Sequence, residues 1–440
     1  MMIILIAIYA YQCFAVFAYQ DEIAKKRILS YQNWLMFLIH FMAFAGMYLK
    51  TGENKILISY LAQMVLLVVI LLVYPKVYPK ISRVVVNNMC MLLTIGFIMI
   101  TRLSFEKAVK QCVIVAGAFV ISLLVPIAIR KLKRLSELRL LYGVIGVVAL
   151  GAVVVMGQVS GGAKLGFTIA GIGIQPSEFV KILFVFFVAA SFRKSTSFKN
   201  VVMTTIVAAL HVLILVVSKD LGAALIIFMV YLVMLYVATR QPLYVVAGLS
   251  AGALASVVAY YLFNHVRVRV LVWQDPFAVY DRGGYQVAQS LFAIGTGGWF
   301  GTGLFQGKAN AIPVADEDFI FSAIAEEMGL IFALCLILIC VSCYIMFLNI
   351  AMQLRNRFYK MLALGLGTSY IFQAFLNIGG VIKFIPSTGV TLPLVSYGGS
   401  SVLSTIIMFA IIQGLYILKE DEEEEIERKR RQKEAQEAAQ

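Results

Sequence analysis

The sequence predicts an all-α fold, a polytopic bundle of transmembrane helices, from three observations. Hydrophobic residues make up 61% of the 440-residue chain and charged residues only 14%, whereas soluble domains are roughly 45 to 50% apolar. The mean hydropathy is +0.91. Apolar runs of about 20 residues, the length that crosses the hydrocarbon core, recur along almost the whole chain. These features exclude a soluble globular protein.

Thirteen apolar runs lie between charged breaks, and each predicts one membrane-spanning helix. They cover residues 2–19, 32–49, 56–74, 84–101, 111–129, 139–157, 177–192, 201–217, 221–238, 243–263, 319–349, 361–381 and 400–418. The first run follows no basic segment and ends in no small-residue cleavage site. We therefore interpret it as a retained helix rather than as a secretory signal.

Basic residues concentrate in alternate loops, and this pattern predicts how the helices are oriented. Under the positive-inside rule, the loops that hold these residues face the cytoplasm: Lys25, Lys26, Arg27, Lys76, Lys80, Arg83, Arg130, Lys131, Lys133, Arg134, Arg193, Lys194, Lys199, Arg355, Arg357 and Lys360. The net charge of +14 therefore indicates topology and not nucleic-acid binding. The remaining loops must face outward: 50–55, 102–110, 158–176, 218–220, 264–318 and 382–399.

The outward segments contain most of the polar sequence that a membrane span does not explain. The longest, 264–318, is expected to fold back as short interfacial helices that line a site, because structureless loops of this length are uncommon. Two others are "QPSEFVKI" at 175–182 and the proline- and glycine-rich "IPSTGVTLPLVSYGGSS" at 385–401. Irregular backbone at membrane depth is tolerated only where protein or a watery cavity covers it. These segments are therefore expected to face one common cavity.

Five segments together resemble the motifs of a known family. In order, they are "QPSEFVKI", "DLGAALI", "GGYQVAQSLFAIGTGGWFGTGL", "DFIFSAIAEEMGL" and "GVTLPLVSYGGSS". Their order and spacing are similar to the shape, elongation, division and sporulation (SEDS) family of RodA, FtsW and SpoVE. The resemblance covers about residues 84–418. It implies a ten-helix core in the bacterial cytoplasmic membrane, and ten of the predicted spans start at or after residue 84.

The resemblance also implies a function. Such a core polymerises lipid II, a peptidoglycan glycosyltransferase reaction that extends a growing glycan strand during elongation, division or sporulation. Its implied partner is a class B penicillin-binding protein, a transpeptidase that cross-links the strands. The shared motifs do not distinguish among the three cellular roles.

The chain divides into three predicted parts and departs from the family pattern in two places. Residues 1–83 form an N-terminal membrane extension of about three helices, 84–418 the core, and 419–440 a charged, helix-prone cytoplasmic tail. The extension has no counterpart in the familiar members. In addition, "PVADEDFIFS" stands where the family usually reads PExxTDFIFA, so that Val314 and Glu317 replace a glutamate and a threonine.

Asp318 is the predicted general base. In the implied reaction, a sugar 4-hydroxyl attacks the anomeric carbon of a donor whose leaving group is undecaprenyl diphosphate. A positioned carboxylate that takes the hydroxyl proton accelerates such a step by roughly 10² to 10⁴. We expect the low-dielectric boundary and two neighbouring acids, Asp316 and Glu317, to raise the pKa of Asp318. The alternative is that Asp318 is a helix N-cap, which is common at helix starts.

The diphosphate leaving group requires positive charge or oriented donors. The candidate substrate-binding residues are Arg102, Glu178, Lys181, Lys219, Arg267, Arg269, Ser396 and Tyr397. Lys181 and Arg102 rank first among the cations, although any of these can instead be a snorkelling anchor. Glu178 is expected mainly to pair with Lys181, and one of Glu326 and Glu327 to make a buried polar contact.

A divalent cation, Mg²⁺ or Mn²⁺, bridging the diphosphate and Asp316 is a further expectation, although no dedicated ligand cluster is visible. We expect no other cofactor.

Two alternatives of a different class remain. A lipid II flippase, a transporter without chemistry, fits the composition equally well, but it needs polar groups that are accessible from both faces. The polar cluster here is confined to the outer half. A scaffolding subunit would need no carboxylate at the mouth of a cavity.

Overall fold

The computed structural model describes residues 1–19, 21–160, 163–169 and 172–438. In this part of the chain, seventeen α-helices and one small β-sheet form. The helices are α1 (Met2–Ala15), α2 (Glu22–Thr51), α3 (Asn54–Val77), α4 (Arg83–Leu103), α5 (Phe105–Ser122), α6 (Val125–Lys131), α7 (Arg139–Met156), α8 (Pro176–Ser191), α9 (Phe198–Val217), α10 (Leu221–Thr239), α11 (Pro242–Leu262), α12 (Asn264–Gln274), α13 (Tyr285–Gly297), α14 (Ile320–Met328), α15 (Leu330–Gln353), α16 (Arg357–Val381) and α17 (Gly399–Ala438).

The predicted transmembrane bundle is confirmed. Eleven helical segments within the described ranges are long and apolar enough to cross a membrane, with α5 and α6 counted as one. The other two predicted spans coincide with α1, which has 14 residues, and α8, which has 16. At 1.5 Å per residue, these helices are roughly 21 and 24 Å long, shorter than a hydrocarbon core of about 30 Å.

Three boundaries differ from the sequence expectation. The predicted outward loop 102–110 is reduced to a break at Ser104, whose hydroxyl accepts from Lys107 N (3.4 Å) at the start of α5. The predicted span 319–349 is split at Gly329, because Leu330 N donates to Gly298 O (2.9 Å) outside the helix.

The third difference is the only departure from an all-α fold in the described residues. Within the outward segment 158–176, three short strands, β1 (Gln158–Ser160), β2 (Ala163–Ile169) and β3 (Ile172–Ile174), pair antiparallel in the order β1-β2-β3. Antiparallel backbone pairing satisfies peptide groups of these strands, which belong to a segment too short and too glycine-rich for a span.

The long loop 264–318 folds as expected, into short helices. It contains α12 and α13, with 3₁₀ turns at Tyr280–Arg282 and Ala309–Ala311.

The N-terminal helices cover the central helix of the bundle, α4, whose membrane-spanning window is entirely buried. Helices α2 and α3 pack on α4, and α1 lies against α2 and α15. Asn88 of α4 accepts a hydrogen bond from Tyr9 Oη (3.2 Å) and donates one to Ser342 Oγ of α15 (3.3 Å). Because lipid cannot satisfy buried polar groups, these bonds tie the N-terminal helices to the rest of the bundle.

The predicted cytoplasmic segments meet at one end of the bundle. The Lys80 amino group lies 2.7 Å from the Asp421 carboxylate, and Arg130 lies 2.7 Å from the other oxygen of the same carboxylate. Since Asp421 belongs to the charged tail, which continues α17 as a helix, the tail packs on the loop before α4 and on α6. Asp318 lies toward the opposite end.

The outer half of α4 supports the segment 385–398. An added Cβ at Gly96 would lie 2.6 Å from the Val395 carbonyl oxygen and 2.9 Å from that of Leu394. Only a glycine permits this approach, because both neighbours are backbone atoms that no rotamer change can move.

We predict that Gly96→Ala destabilises the protein by about 1 to 3 kcal/mol, the usual cost of overpacking a filled interior. Gly117→Ala is the matched control, because a Cβ at Gly117 in α5 meets no atom within 4 Å. That control should be neutral or up to about 1 kcal/mol more stable. Thermal unfolding of both variants in detergent measures the difference. Equal melting temperatures would contradict the close contact.

Candidate active site

A cavity of ≈ 150 Å³ opens at the outer end of the bundle, between α12, α13 and the segments that flank α14 and α16. Its polar lining comes from parts of the chain that are far apart in sequence. Among the lining residues are Arg269, Gln286, Asp318, Lys383, Ser387 and Gly389. The cavity therefore combines one carboxylate with two basic side chains.

The Asp318 side chain lines this cavity and is only partly buried. Within the described residues it makes no hydrogen bond and no ion pair. Helix α14 begins at Ile320, with Phe319 at the N-cap position and no side-chain cap. Asp318 therefore does not act as the helix cap that was the alternative interpretation, and its oxygens are available to a ligand.

Burial raises the pKa of Asp318 to about 6, and the negative charge of Glu317 acts in the same direction. Arg269 opposes this shift, and Asp316 adds a smaller increase. The ordinary pKa of an aspartate is about 3.9. Asp318 is therefore ionised at neutral pH, yet it is much more basic than a solvated carboxylate.

The backbone of the acidic segment, residues 316–318, is fixed by hydrogen-bond donors from residues 377–397. Each of its three consecutive carbonyls accepts one hydrogen bond. The donors are Tyr397 N to Asp316 O (2.8 Å), Ser396 Oγ to Glu317 O (2.5 Å) and Asn377 Nδ2 to Asp318 O (2.8 Å). Ser396 and Tyr397 thus position the acids. Neither lines the cavity, and their contact with substrate stays a prediction.

Lys107 pairs with the other two acids. Its amino group lies 2.5 Å from Asp316 Oδ2 and 3.0 Å from Glu317 Oε1, and 5.1 Å from the centre of the Tyr397 ring. The two carboxylates next to Asp318 are thus paired with a common cation. Only Asp318 of the three faces the cavity without a partner.

Arg269 of α12 is the predicted cation that does reach the cavity. Its Nη1 donates to Ser387 O (2.8 Å), and its Nη2 lies beside Gly389, as does Asp318 Oδ2. An added Cβ at Gly389, where φ is +71°, would lie 3.4 Å from Asp318 Oδ2 and 3.7 Å from Arg269 Nη2. The glycine keeps the space between carboxylate and guanidinium open.

Two other predicted cations lie outside the cavity. Arg267 is exposed and turns toward α11, where it donates to Tyr261 O (3.3 Å). Lys219 is exposed in the loop before α10. Its neighbour Asp220 caps α10 and accepts from Ser177 Oγ (2.8 Å), so this loop supports the start of α8.

Glu178 and Lys181 form the predicted pair, at 2.9 Å, and both are buried. Lys181 also donates to Gln373 Oε1 (2.6 Å), and Ser404 Oγ donates to Glu178 (3.1 Å). Neither side chain lines the cavity. The pair therefore holds α8 to α16 and α17, and the expected contact of Lys181 with a diphosphate stays a prediction.

Arg102, the other highly ranked cation, is buried in a second ion pair. Its Nη2 lies 2.8 Å from Glu327 Oε1, and its guanidinium lies 4.4 Å from the centre of the Phe305 ring. The other Glu327 oxygen accepts from Phe305 N (3.1 Å), and Glu326 accepts from Lys308 N (2.8 Å). Both glutamates thus anchor the loop after α13, and Arg102 does not face the cavity.

Asp316, the expected Mg²⁺ or Mn²⁺ ligand, does not line the cavity, and a divalent cation at this acid stays a prediction. Its carboxylate is held by Lys107, and the part of the chain that the structure describes has no group of three or more His, Cys, Asp or Glu side chains that could hold a metal ion.

Sequence reasoning missed three residues of this region. Lys107 and Lys383 fall in segments predicted to face outward, where basic residues run against the positive-inside rule and call for a local partner. Asn377 falls in a predicted span, where an amide is costly unless it is paired. Each signal was present in the sequence, but the partners of Lys107 and Asn377 could not be deduced from it.

The known proteins that this chain resembles match the same region of the chain. The family model for FtsW, RodA and SpoVE, described as cell cycle protein, matches residues 83–420. The chain is 42% identical over 267 residues to "Peptidoglycan glycosyltransferase RodA" of Mycobacterium tuberculosis, which covers 57% of each chain. It is 31% identical over 316 residues to "Probable peptidoglycan glycosyltransferase FtsW" of Bacillus subtilis, covering 67% of this chain and 77% of that protein. The match thus spans little more than half the length of the mycobacterial relative.

Solved structures share the fold. A chain of a peptidoglycan synthase complex superposes with a TM-score of 0.67 at 23% identity, covering 77% of this chain and 98% of that one. The rod shape determining protein RodA of Thermus thermophilus gives 0.60 at 20% identity, covering 77% and 97%. The chain belongs to the FtsW/RodA/SpoVE family, the SEDS family that its motifs resemble, and is a multi-pass protein of the bacterial cytoplasmic membrane.

Proposed function

We propose that the chain is a peptidoglycan glycosyltransferase that polymerises lipid II into glycan strands at the outer face of the cytoplasmic membrane. The observation that carries this proposal is the Asp318 carboxylate, which lines an outward cavity without a partner and has a pKa of about 6. Relatives in the family bear the name peptidoglycan glycosyltransferase, which supports the same reaction class.

In the proposed step, Asp318 takes the proton of the acceptor sugar 4-hydroxyl. The hydroxyl oxygen then forms a bond to the anomeric carbon of the donor, and the bond from that carbon to the undecaprenyl diphosphate breaks. The electron pair of the broken bond leaves with the diphosphate. A base with a pKa close to the working pH is suited to this transfer, because it is ionised in the resting enzyme yet binds the proton well.

The leaving diphosphate gains negative charge, and we propose that Arg269 and Lys383 stabilise it. Both line the cavity that contains Asp318. Preorganised cations in a site shielded from water act most strongly on charge that develops in the transition state. Because Arg269 donates to Ser387 O through one nitrogen, its guanidinium is already oriented before substrate binds.

We also propose a class B penicillin-binding protein as the partner. The structural neighbour in a peptidoglycan synthase complex supports an assembly of this kind. Relatives in this family include both RodA and FtsW proteins, so the proposed role is in elongation, division or sporulation.

A lipid II flippase is less well supported by the arrangement of charges. Deeper charged groups that could line a path across the membrane are paired with each other, as Glu178 is with Lys181 and Arg102 with Glu327. A scaffolding subunit would likewise gain nothing from an unpaired Asp318.

We predict that Asp318→Asn lowers lipid II polymerisation by at least about a hundredfold, because the amide cannot accept the hydroxyl proton. The assay uses purified chain with its penicillin-binding partner and labelled lipid II, and follows glycan length on gels. Asp281→Asn, an exposed change in the same loop, is the matched control and should retain activity. Normal polymerisation by Asp318→Asn, with partner binding intact, would rule out the general base.

The pH profile of polymerisation should report the same group. Asp318 must be ionised, so the rate should be level above its pKa of about 6 and fall about tenfold per pH unit below it. Glu317→Gln removes a charge that raises this pKa, so the acidic limb should move to lower pH. Glu106→Gln, an exposed acid on α5, should leave the limb in place. A limb that Glu317→Gln does not move would contradict the electrostatic assignment.

We predict that Arg269→Gln reduces polymerisation by roughly tenfold to a hundredfold, because the cavity loses a cation directed at the leaving group. It should also move the acidic limb to higher pH, since Arg269 lowers the pKa of Asp318. Arg267→Gln, two residues away on the same helix and outside the cavity, is the matched control and should keep near-normal rates. Equal losses in the two variants would indicate a general effect on α12.

A further inference from the structure

A second cavity, of ≈ 370 Å³, lies between α2, α3 and the start of α4. It is on the cytoplasmic side, at the end of the bundle opposite Asp318, because Arg83 at its mouth follows the loop in which Lys80 pairs with Asp421. The residues that line it include Asn33, Phe37, Val68, Leu72, Pro75 and Arg83. The proposed polymerisation uses none of them.

The lining changes from polar to apolar with depth in the membrane. Arg83 stands at the first position of α4, and Asn33 lies on the neighbouring face of α2. Phe37 is four residues further along α2, one turn toward the membrane centre. Val68 is likewise two turns deeper on α3 than Pro75. The cavity is thus lined by polar side chains at the cytoplasmic interface and by apolar side chains nearer the membrane centre. A membrane lipid has the same order, with a polar headgroup at the interface and acyl chains deeper.

The polar groups at the mouth lack partners in the protein. Arg83 is exposed and forms no ion pair with any acid in the described ranges. The Asn33 side-chain oxygen is buried and accepts no hydrogen bond. In contrast, the nearby Asn87 amide donates to Leu29 O (2.9 Å) and Gln32 Oε1 (3.2 Å). A buried acceptor without a donor costs free energy unless a ligand supplies one.

The wall toward the bilayer is a helix that the bundle covers poorly. Only 28% of the membrane-spanning window of α3 is buried, and Leu72 is 66% exposed although it lines the cavity. A ligand can therefore enter sideways from the inner leaflet. Water-soluble ligands would have to displace lipid chains from this wall.

We propose that this cavity binds an anionic phospholipid of the inner leaflet. Its phosphate pairs with Arg83, a hydroxyl of its headgroup donates to Asn33, and one acyl chain lies along Phe37, Val68 and Leu72. Basic pockets between transmembrane helices on the cytoplasmic side suit such headgroups. The lipid would then fill the space between the N-terminal helices and α4, the helix that supports the outer segment at Gly96.

Native mass spectrometry of the full-length chain in detergent tests this proposal, with phosphatidylglycerol and phosphatidylcholine of identical acyl chains as probes. Phosphatidylglycerol should be retained more tightly. Arg83→Gln should weaken its retention about fivefold and leave phosphatidylcholine unchanged. Arg83→Lys should restore part of the preference. Lys26→Gln, an exposed charge change at the cytoplasmic start of α2, is the matched control and should behave as the unaltered chain.

Val68→Trp should reduce the binding of both lipids, because the larger ring occupies the acyl-chain part of the cavity. Melting temperatures in phosphatidylcholine alone establish that each variant is folded. Equal retention of the two lipids, or unchanged phosphatidylglycerol binding in Arg83→Gln, would overturn the proposal. If glycerol phosphate alone competes at the same concentration, the proposal is wrong and the site binds a free anion. If the chain retains no phospholipid but co-purifies with a polypeptide that Val68→Trp displaces, the proposal is wrong and the cavity binds a helix.

Discussion

The site depends on one constraint, the fixing of three consecutive backbone carbonyls, at residues 316–318, by side-chain and backbone donors from 377–397. Without it, an acidic segment at the edge of a membrane would turn its carboxylates toward water. The hydrogen bonds engage only backbone carbonyls, so nearby charges determine where the three side chains point. Asp316 and Glu317 turn to Lys107, and Asp318 turns to the cavity. Because backbone groups buried without partners are costly, the same bonds also stabilise the irregular segments at this depth.

This arrangement lets the protein keep an unpaired carboxylate near the membrane while other ion pairs stabilise the fold. A carboxylate near a low-dielectric region is normally stabilised by a cation, which would lower its pKa and occupy its oxygens. Here Lys107 takes the two neighbouring acids, and Arg269 stays across the gap that Gly389 keeps open. The ion pairs that hold the helices together, Arg102 with Glu327 and Lys181 with Glu178, are buried elsewhere. Structural charges and the proposed catalytic charge are thus separated in space.

Much of the fold and the identity of the acid could be predicted from the sequence. Apolar run length determines the spans because the bilayer imposes it, and the motif "DFIFS" placed Asp318 at a helix start. The pairing of Lys181 with Glu178 within one helix could be predicted, but the partners of the other cations could not, since they depend on which helices are neighbours. Arg102 lies at the expected outward level, but its acid, Glu327, comes from α14. Ser396 and Tyr397 lie in the expected loop, yet the direction of their donors is set by tertiary packing.

The protonation of Asp318 itself is the most direct measurement of the central claim. Infrared difference spectra of the chain and of Asp318→Asn, recorded over a pH titration in membranes, isolate the carbonyl stretch of the protonated carboxyl group. Our account predicts one band that is present in the unaltered chain, absent in the variant, and titrates near pH 6. A band that titrates near the ordinary value of about 4 would mean that this carboxylate is solvated or paired, and would contradict the account.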